Sequence, residues 1–175
     1  MKRVSVVLLV FMLLATAVTS FAQMAPPAPE LKKLDYFVGN WTMDGDVKPG
    51  PMGPGGKNTG TSKNEWMDGN YFMTSQGGYN GAMGTGKETA FYGYDVNKKV
   101  YTYDSFSSAG EHNIATGTVD TDTWTWSFDI PMGSTTGKGR FVIKVTSPTS
   151  YNYKLEFSQD GTNWNLIMDG KATKK

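Results

Sequence analysis

His112 is the single imidazole of the chain, set in Glu111-His112-Asn113. An unperturbed imidazole titrates near neutrality, so it can serve as a metal or haem ligand or as a general base. Zinc sites need three or four converging ligands, and histidine catalysis needs a nucleophile and an orienting group. Neither set surrounds His112 in the sequence, which leaves it a weak metal candidate beside the plainer reading of an inert strand-end residue. Asp44 with Asp46, and Asp120 with Asp122, form spaced carboxylate pairs able to hold a cation or divide acid and base roles. Turn and rim solvation accounts for them more simply. Glu65, beside Trp66, and Glu88 are the acids expected to reach the interior, where a carboxylate anchors a ligand hydroxyl or amine. Met52, Met83 and Met132 each lie in a glycine-rich segment. Thioethers bind copper(I), but single, widely spaced methionines also act as adaptable apolar rim residues. No G-x-S-x-G elbow, phosphate loop, dinucleotide fingerprint or H-E-x-x-H pair occurs, and no catalytic residue is assigned.

The elements that must position these groups are mostly strands. Trp124, Trp126, Phe128 and Ile130 alternate with Thr125, Ser127 and Asp129, the period-two pattern of a half-buried strand. Phe141-Ile143-Val145 and Tyr151-Tyr153-Leu155-Phe157 repeat the pattern, and turns with Asp, Asn, Gly or Pro separate the segments. Roughly ten strands at 8 to 12 residue spacing are expected from Asn40 onward. Sequential antiparallel pairing leaves two raw edges unless the sheet closes, so a barrel is preferred to an open sheet. Leu31, Leu34 and Phe37 or Val38 share a face at helical spacing, with Gly39 as a stop, and predict one short helix. Three glycine-rich connections, Pro49–Gly56, Gly77–Gly86 and Pro131–Gly137, are expected as loops along one rim.

The first stretch has a different character. Lys2 and Arg3 precede an uncharged apolar run from Val4 to Val18, followed by Ser20-Phe21-Ala22. Residues 1–22 read as a signal peptide cut after Ala22, residues 23–29 as a Pro-rich leader, and residues 30–175 as one barrel domain. The expected location is periplasmic or extracellular. Loss of residues 1–22 removes two cations and leaves a slightly acidic chain with no basic field for nucleic acid. No later segment suits a membrane span. The absence of cysteine excludes a disulfide framework, and the 13 % aromatic content must supply the core instead.

Leu31-Lys32-Lys33-Leu34-Asp35-Tyr36-Phe37-Val38-Gly39-Asn40-Trp41, the Pro-Met-Gly-Pro-Gly-Gly loop, Glu65-Trp66, Gly93-Tyr94-Asp95 and Asp122-Thr123-Trp124-Thr125 together resemble a secreted bacterial family known as domain of unknown function 1579. That family is similar to the calycin barrels, which include lipocalins, fatty-acid-binding proteins and haem-binding nitrobindins. The resemblance implies a ten-stranded up-and-down barrel whose base is plugged by Trp41 after Gly39. Calycins lay an arginine of the last strand over this tryptophan. Arg140 is the one arginine after the leader, so Lys171 or Lys174 must substitute and a weaker plug is expected. Nitrobindins ligate haem through a histidine near the C-terminus; none stands there, so neither haem nor any other cofactor is expected.

Three functional classes follow. The first is a non-enzymatic barrel holding a small apolar or amphipathic ligand, lined by Glu65, Trp66, Tyr92, Tyr101 and Tyr103. Trp124 and Trp126 would complete that wall, with Met83 and Met132 at the rim. The second is a filled barrel acting as an envelope accessory or interaction module, its aromatics serving as core alone. The third is an enzyme using a pocket carboxylate. Cavity volume separates the first two.

Overall fold

The computed structural model describes residues 25–50 and 53–175. The proposed signal peptide and Met52 lie outside the described residues. Pro29–Phe37 forms the expected short helix, which is of the 3-10 type. The reason lies in the spacing: Leu31, Leu34 and Phe37 recur every third residue, which in a helix of three residues per turn places all three on one buried line. Val38 falls outside the helix as its cap. Gly39 follows with φ of +115°, a conformation that side chains rarely adopt, and turns the chain into the first strand.

Ten antiparallel strands then run in sequence. They are β1 (Gly39–Val47), β2 (Gly56–Trp66), β3 (Met73–Gly81), β4 (Gly84–Asp95) and β5 (Val100–Ser107). The second half comprises β6 (His112–Asp120), β7 (Thr123–Met132), β8 (Thr135–Ser147), β9 (Ser150–Ser158) and β10 (Asn165–Lys174). Each pairs with its neighbours in sequence, and β10 pairs with β1 from Trp41↔Lys174 to Val47↔Met168, closing the sheet into a barrel. The fold expected from period-two alternation and turn spacing is therefore the one formed.

Two of the expected loops are corrected. Gly77–Gly86 is largely strand: β3 and β4 continue to Gly81 and Gly84, leaving Ala82 and Met83 as the turn. Pro131–Gly137 likewise divides between β7 and β8. Glycine reads as a breaker in sequence, but here it makes room for rings. A Cβ at Gly139 would collide with Phe128, at Gly117 with Trp126, at Gly86 with Tyr79, and at either Gly45 or Gly170 with Tyr153. Large inward aromatics thus lie flat over glycines of adjacent strands, which satisfies packing without widening the barrel.

The helix covers one end. Trp41 is 2 % exposed and packs at 4.9 Å from Tyr151 and 5.5 Å from Tyr36, ring centroid to ring centroid. Its Nε1–H donates to the Phe37 carbonyl at 2.7 Å, satisfying a carbonyl at the helix end that has no partner within the helix. Tyr101 Oη–H donates to the Glu30 carbonyl at 2.9 Å and Trp66 Nε1–H to Asp35 Oδ1 at 2.7 Å. The barrel wall therefore ties the helix down at its first turn, at Asp35 and at its last carbonyl. Lys174 Nζ lies 5.2 Å from the centroid of Trp41, so the last strand does provide a cation over the plug. Lys171, on the opposite parity, faces outward opposite Asp44.

Candidate functional site

One joint in the wall is short. β5 pairs with β6 as far as Phe106↔His112, and β7 pairs with β8 as far as Met132↔Thr135. Between them β6 and β7 pair only from Thr116↔Ser127 to Asp120↔Thr123. Toward the uncovered end the two strands therefore part, leaving two unpaired backbone edges. Pro131 stands on this stretch, where a residue without an N–H removes nothing from the ladder. A cleft of about 760 Å³ occupies the gap. Asn113 and Ala115 line it from β6, Phe128 and Pro131 from β7, and Gly139 from β8. Trp164, in the β9–β10 connection, forms its outer lip. Arg140 stacks 4.0 Å from the Trp164 ring centroid and its Nε–H donates to Glu156 Oε2 at 2.5 Å, which holds the lip in place.

The cleft borders a polar patch on the inner wall. Register places Asn113 opposite Ser105, and Ala115 opposite Tyr103. Tyr103 Oη–H donates to Glu88 Oε1 at 2.7 Å and Ser105 Oγ–H to Glu88 Oε2 at 3.3 Å. Burial first, and the neighbouring Glu88 carboxylate second, push the Tyr103 hydroxyl well above its ordinary range, so it remains a donor. Tyr92 is raised in the same sense, chiefly by burial.

The residues expected to line a cavity separate into three groups. Tyr92, Tyr103 and Trp126 come together, with Tyr92 5.0 Å from Tyr103 and 5.4 Å from Trp126. Tyr101, Trp124 and Trp66 belong to the packed base: Tyr101 lies 4.7 Å from Trp124, and Trp124 stacks on Trp126 at 6.1 Å. Glu65 faces the opposite way from the expected direction. It is on the outer surface, ion-paired with Lys63, because Trp66 beside it points inward. Met83 and Met132 are exposed at separate hairpin turns of the uncovered end, as a shared rim requires, but neither borders the cleft.

His112 sits at the cleft mouth on the outer face, its Nε2 2.6 Å from Asp104 Oδ1 and its ring stacked 4.6 Å from Phe106. Among the described residues no three His, Asp or Glu side chains gather as a metal cluster. Asp44 and Asp46 point outward and pair with Lys57, at 3.6 and 3.1 Å. Among the described residues no helix is long and apolar enough to cross a membrane.

Asn113, Ala115, Phe128, Gly139 and Trp164 were not singled out from sequence. The available signal was a run of small inward residues in β6 facing a proline in β7, neither of which can close a wall.

A closed ten-strand meander with a helix and a buried tryptophan across one end is a calycin-like barrel. The chain belongs to the family described as protein of unknown function DUF1579, whose model matches residues 26–174. The crystal structure of Rv2717c from M. tuberculosis is similar, with a TM-score of 0.58 at 14 % sequence identity, covering 85 % of this chain and 99 % of that one. At that identity the likeness is one of fold. No curated protein matches the sequence.

Proposed function

We propose that this protein is an exported binding protein for a small amphipathic molecule, whose apolar body enters between β6 and β7. The observation that carries the reading is the parted β6–β7 joint, since a wall complete elsewhere opens where Ala115, Phe128 and Pro131 offer apolar surface. Burying about 250 Å² of apolar ligand surface is worth about 6 kcal/mol, and micromolar affinity needs about 8 kcal/mol, so a polar anchor must contribute. A panel of short-chain amphiphiles titrated against intrinsic tryptophan fluorescence tests the proposal. Saturable binding at about micromolar levels, lost in Ala115→Trp without loss of fold, is expected. Unchanged binding in that variant refutes the cleft as the site. Export is tested separately: the mature protein begins at Gln23 by intact mass, and a retained leader refutes it.

A second reading, an interaction module, draws on the outer face beside the cleft. Phe106 is 52 % exposed and Ile114 60 % exposed there, more apolar surface than a solvated strand face requires. Capture of a protein partner that Ile114→Lys abolishes, with amphiphile binding absent, would favour it.

A further inference from the structure

Alternation along the strands gives every charged residue a direction. Asp44, Asp46, Glu65, Asp104, Asp129, Glu156 and the remaining strand carboxylates fall on the outward register. Glu88 alone among them is inward, paired across the barrel face with Gly77 on β3 and Ser107 on β5. The strand cations divide in the same way: Lys174 is the inward one, and it is committed to the Trp41 plug at the covered end. Among the described residues, Glu88 thus faces the interior with two hydroxyl donors and no cation. Two neutral donors satisfy part of a carboxylate's hydrogen-bonding capacity and none of its charge.

The residues beside Glu88 are small. Gly77, Ala90 and Ser107 are the inward neighbours of Glu88 along the β3, β4 and β5 registers, and each is small. Two tyrosines stand close to them. Tyr79 lies across Gly86, one inward position from Glu88, and Tyr103 is held against the carboxylate by its own hydrogen bond. A carboxylate flanked by tyrosine rings suits an ammonium ion, which gains from the charge and from the ring faces together. An anionic amphiphile would bring a second negative charge against Glu88 with no inward cation to offset it.

We propose that Glu88, with Tyr103 and Tyr79, anchors the head group of a cationic amphiphile, an alkyl ammonium, whose chain lies in the β6–β7 cleft. This rests on the cleft being the ligand site. The route is continuous in register: Asn113 and Ala115 line the cleft, Ser105 and Tyr103 are their partners on β5, and both hydroxyls reach Glu88.

The test uses four probes with one decyl chain, each below its micelle concentration: decylamine, decyltrimethylammonium, decanol and decanoate. Calorimetry on the full mature chain should show the two cations binding about tenfold or more tighter than decanol, with decanoate weakest. Glu88→Gln should remove the advantage of the two cations over decanol. Equal affinity of all four for the unsubstituted protein overturns the head-group assignment while the cleft reading stands. Binding by none overturns the cleft reading with it. The wild-type ranking needs no variant, so it decides the matter even if Glu88→Gln fails to fold; tight decanoate binding refutes the proposal outright.

Discussion

At Trp41 three interactions meet on one side chain: ring packing against Tyr151 and Tyr36, donation to the Phe37 carbonyl, and Lys174 over the ring face. Trp41→Ala should therefore cost about 3 to 5 kcal/mol in urea melts, whereas Lys174→Ala should cost about 0.5 to 1 kcal/mol. A Trp41→Ala loss near that of Lys174→Ala would mean that the helix, not the indole, seals the base. The plug was legible in Gly39-Asn40-Trp41 taken together with the helical spacing before it and the count of ten strands. The choice of Lys174 over Lys171 was not, because parity relative to Trp41 is set by the β1–β10 register between opposite ends of the chain. Glu65 carries a sharper lesson. It adjoins Trp66, and neighbours in a strand face opposite sides, so both could never have lined one cavity. Glu88 and Tyr92 stand four apart and share a face. Parity, applied strictly, separates the two acids before any coordinates are known.

Among the strands and turns, glycine was the residue most often misread. Gly45 and Gly170 flank the Tyr153 ring on adjacent strands, and a methyl group at Gly45 would collide with the Tyr153 hydroxyl. Gly45→Ala should lose about 1 to 3 kcal/mol by overpacking, and adding Tyr153→Phe should recover part of it. Strict additivity of the two substitutions in denaturant melts would show that the collision is relieved elsewhere. The sequence pattern cannot display this pairing, since the ring and its glycines lie on different strands. The turns were easier to read, because aspartate acts locally. In Asp160 the Asn163 and Thr162 backbone N–H groups, and in Asp95 those of Lys98 and Asn97, hold the carboxyl below its usual range. At Asp122 the Lys144 ammonium does the same. Groups depressed on folding contribute stability above the ordinary carboxylate range and lose it as pH falls through their lowered values. The melting temperature should therefore decline below about pH 4, and Asp160→Asn should flatten that decline.

For the molecule as a whole, the interior is a stack of tyrosines and tryptophans at the covered end, thinning toward the parted joint. Burial raises Tyr101 and Tyr153 to about 12, and Tyr36, Tyr103 and Tyr151 are raised as well. A tyrosine raised on folding contributes stability that is complete below pH 10 and is lost as pH climbs through the folded value. Alkaline unfolding should thus begin above about pH 10, with tyrosinate absorbance and loss of circular dichroism rising together. Tyrosinate appearing well before the loss of structure would place these rings in water. Closure of the barrel was legible from strand count and edge avoidance; the short β6–β7 joint was not, because a ladder's length depends on how strands diverge in space. The pairing of β1 with β10 has a further, kinetic meaning. Every other ladder joins strands consecutive in sequence, so the cost of bringing distant chain segments together falls on this one closure. The Lys175 N–H donates to the Asn40 carbonyl at 2.9 Å, so the tail and the start of β1 already touch. A circular permutant that links Lys175 to the leader ahead of the helix and is cut between Gly133 and Ser134 keeps every ladder, brings β10 and β1 close in sequence, and moves the slow step of folding to β7–β8.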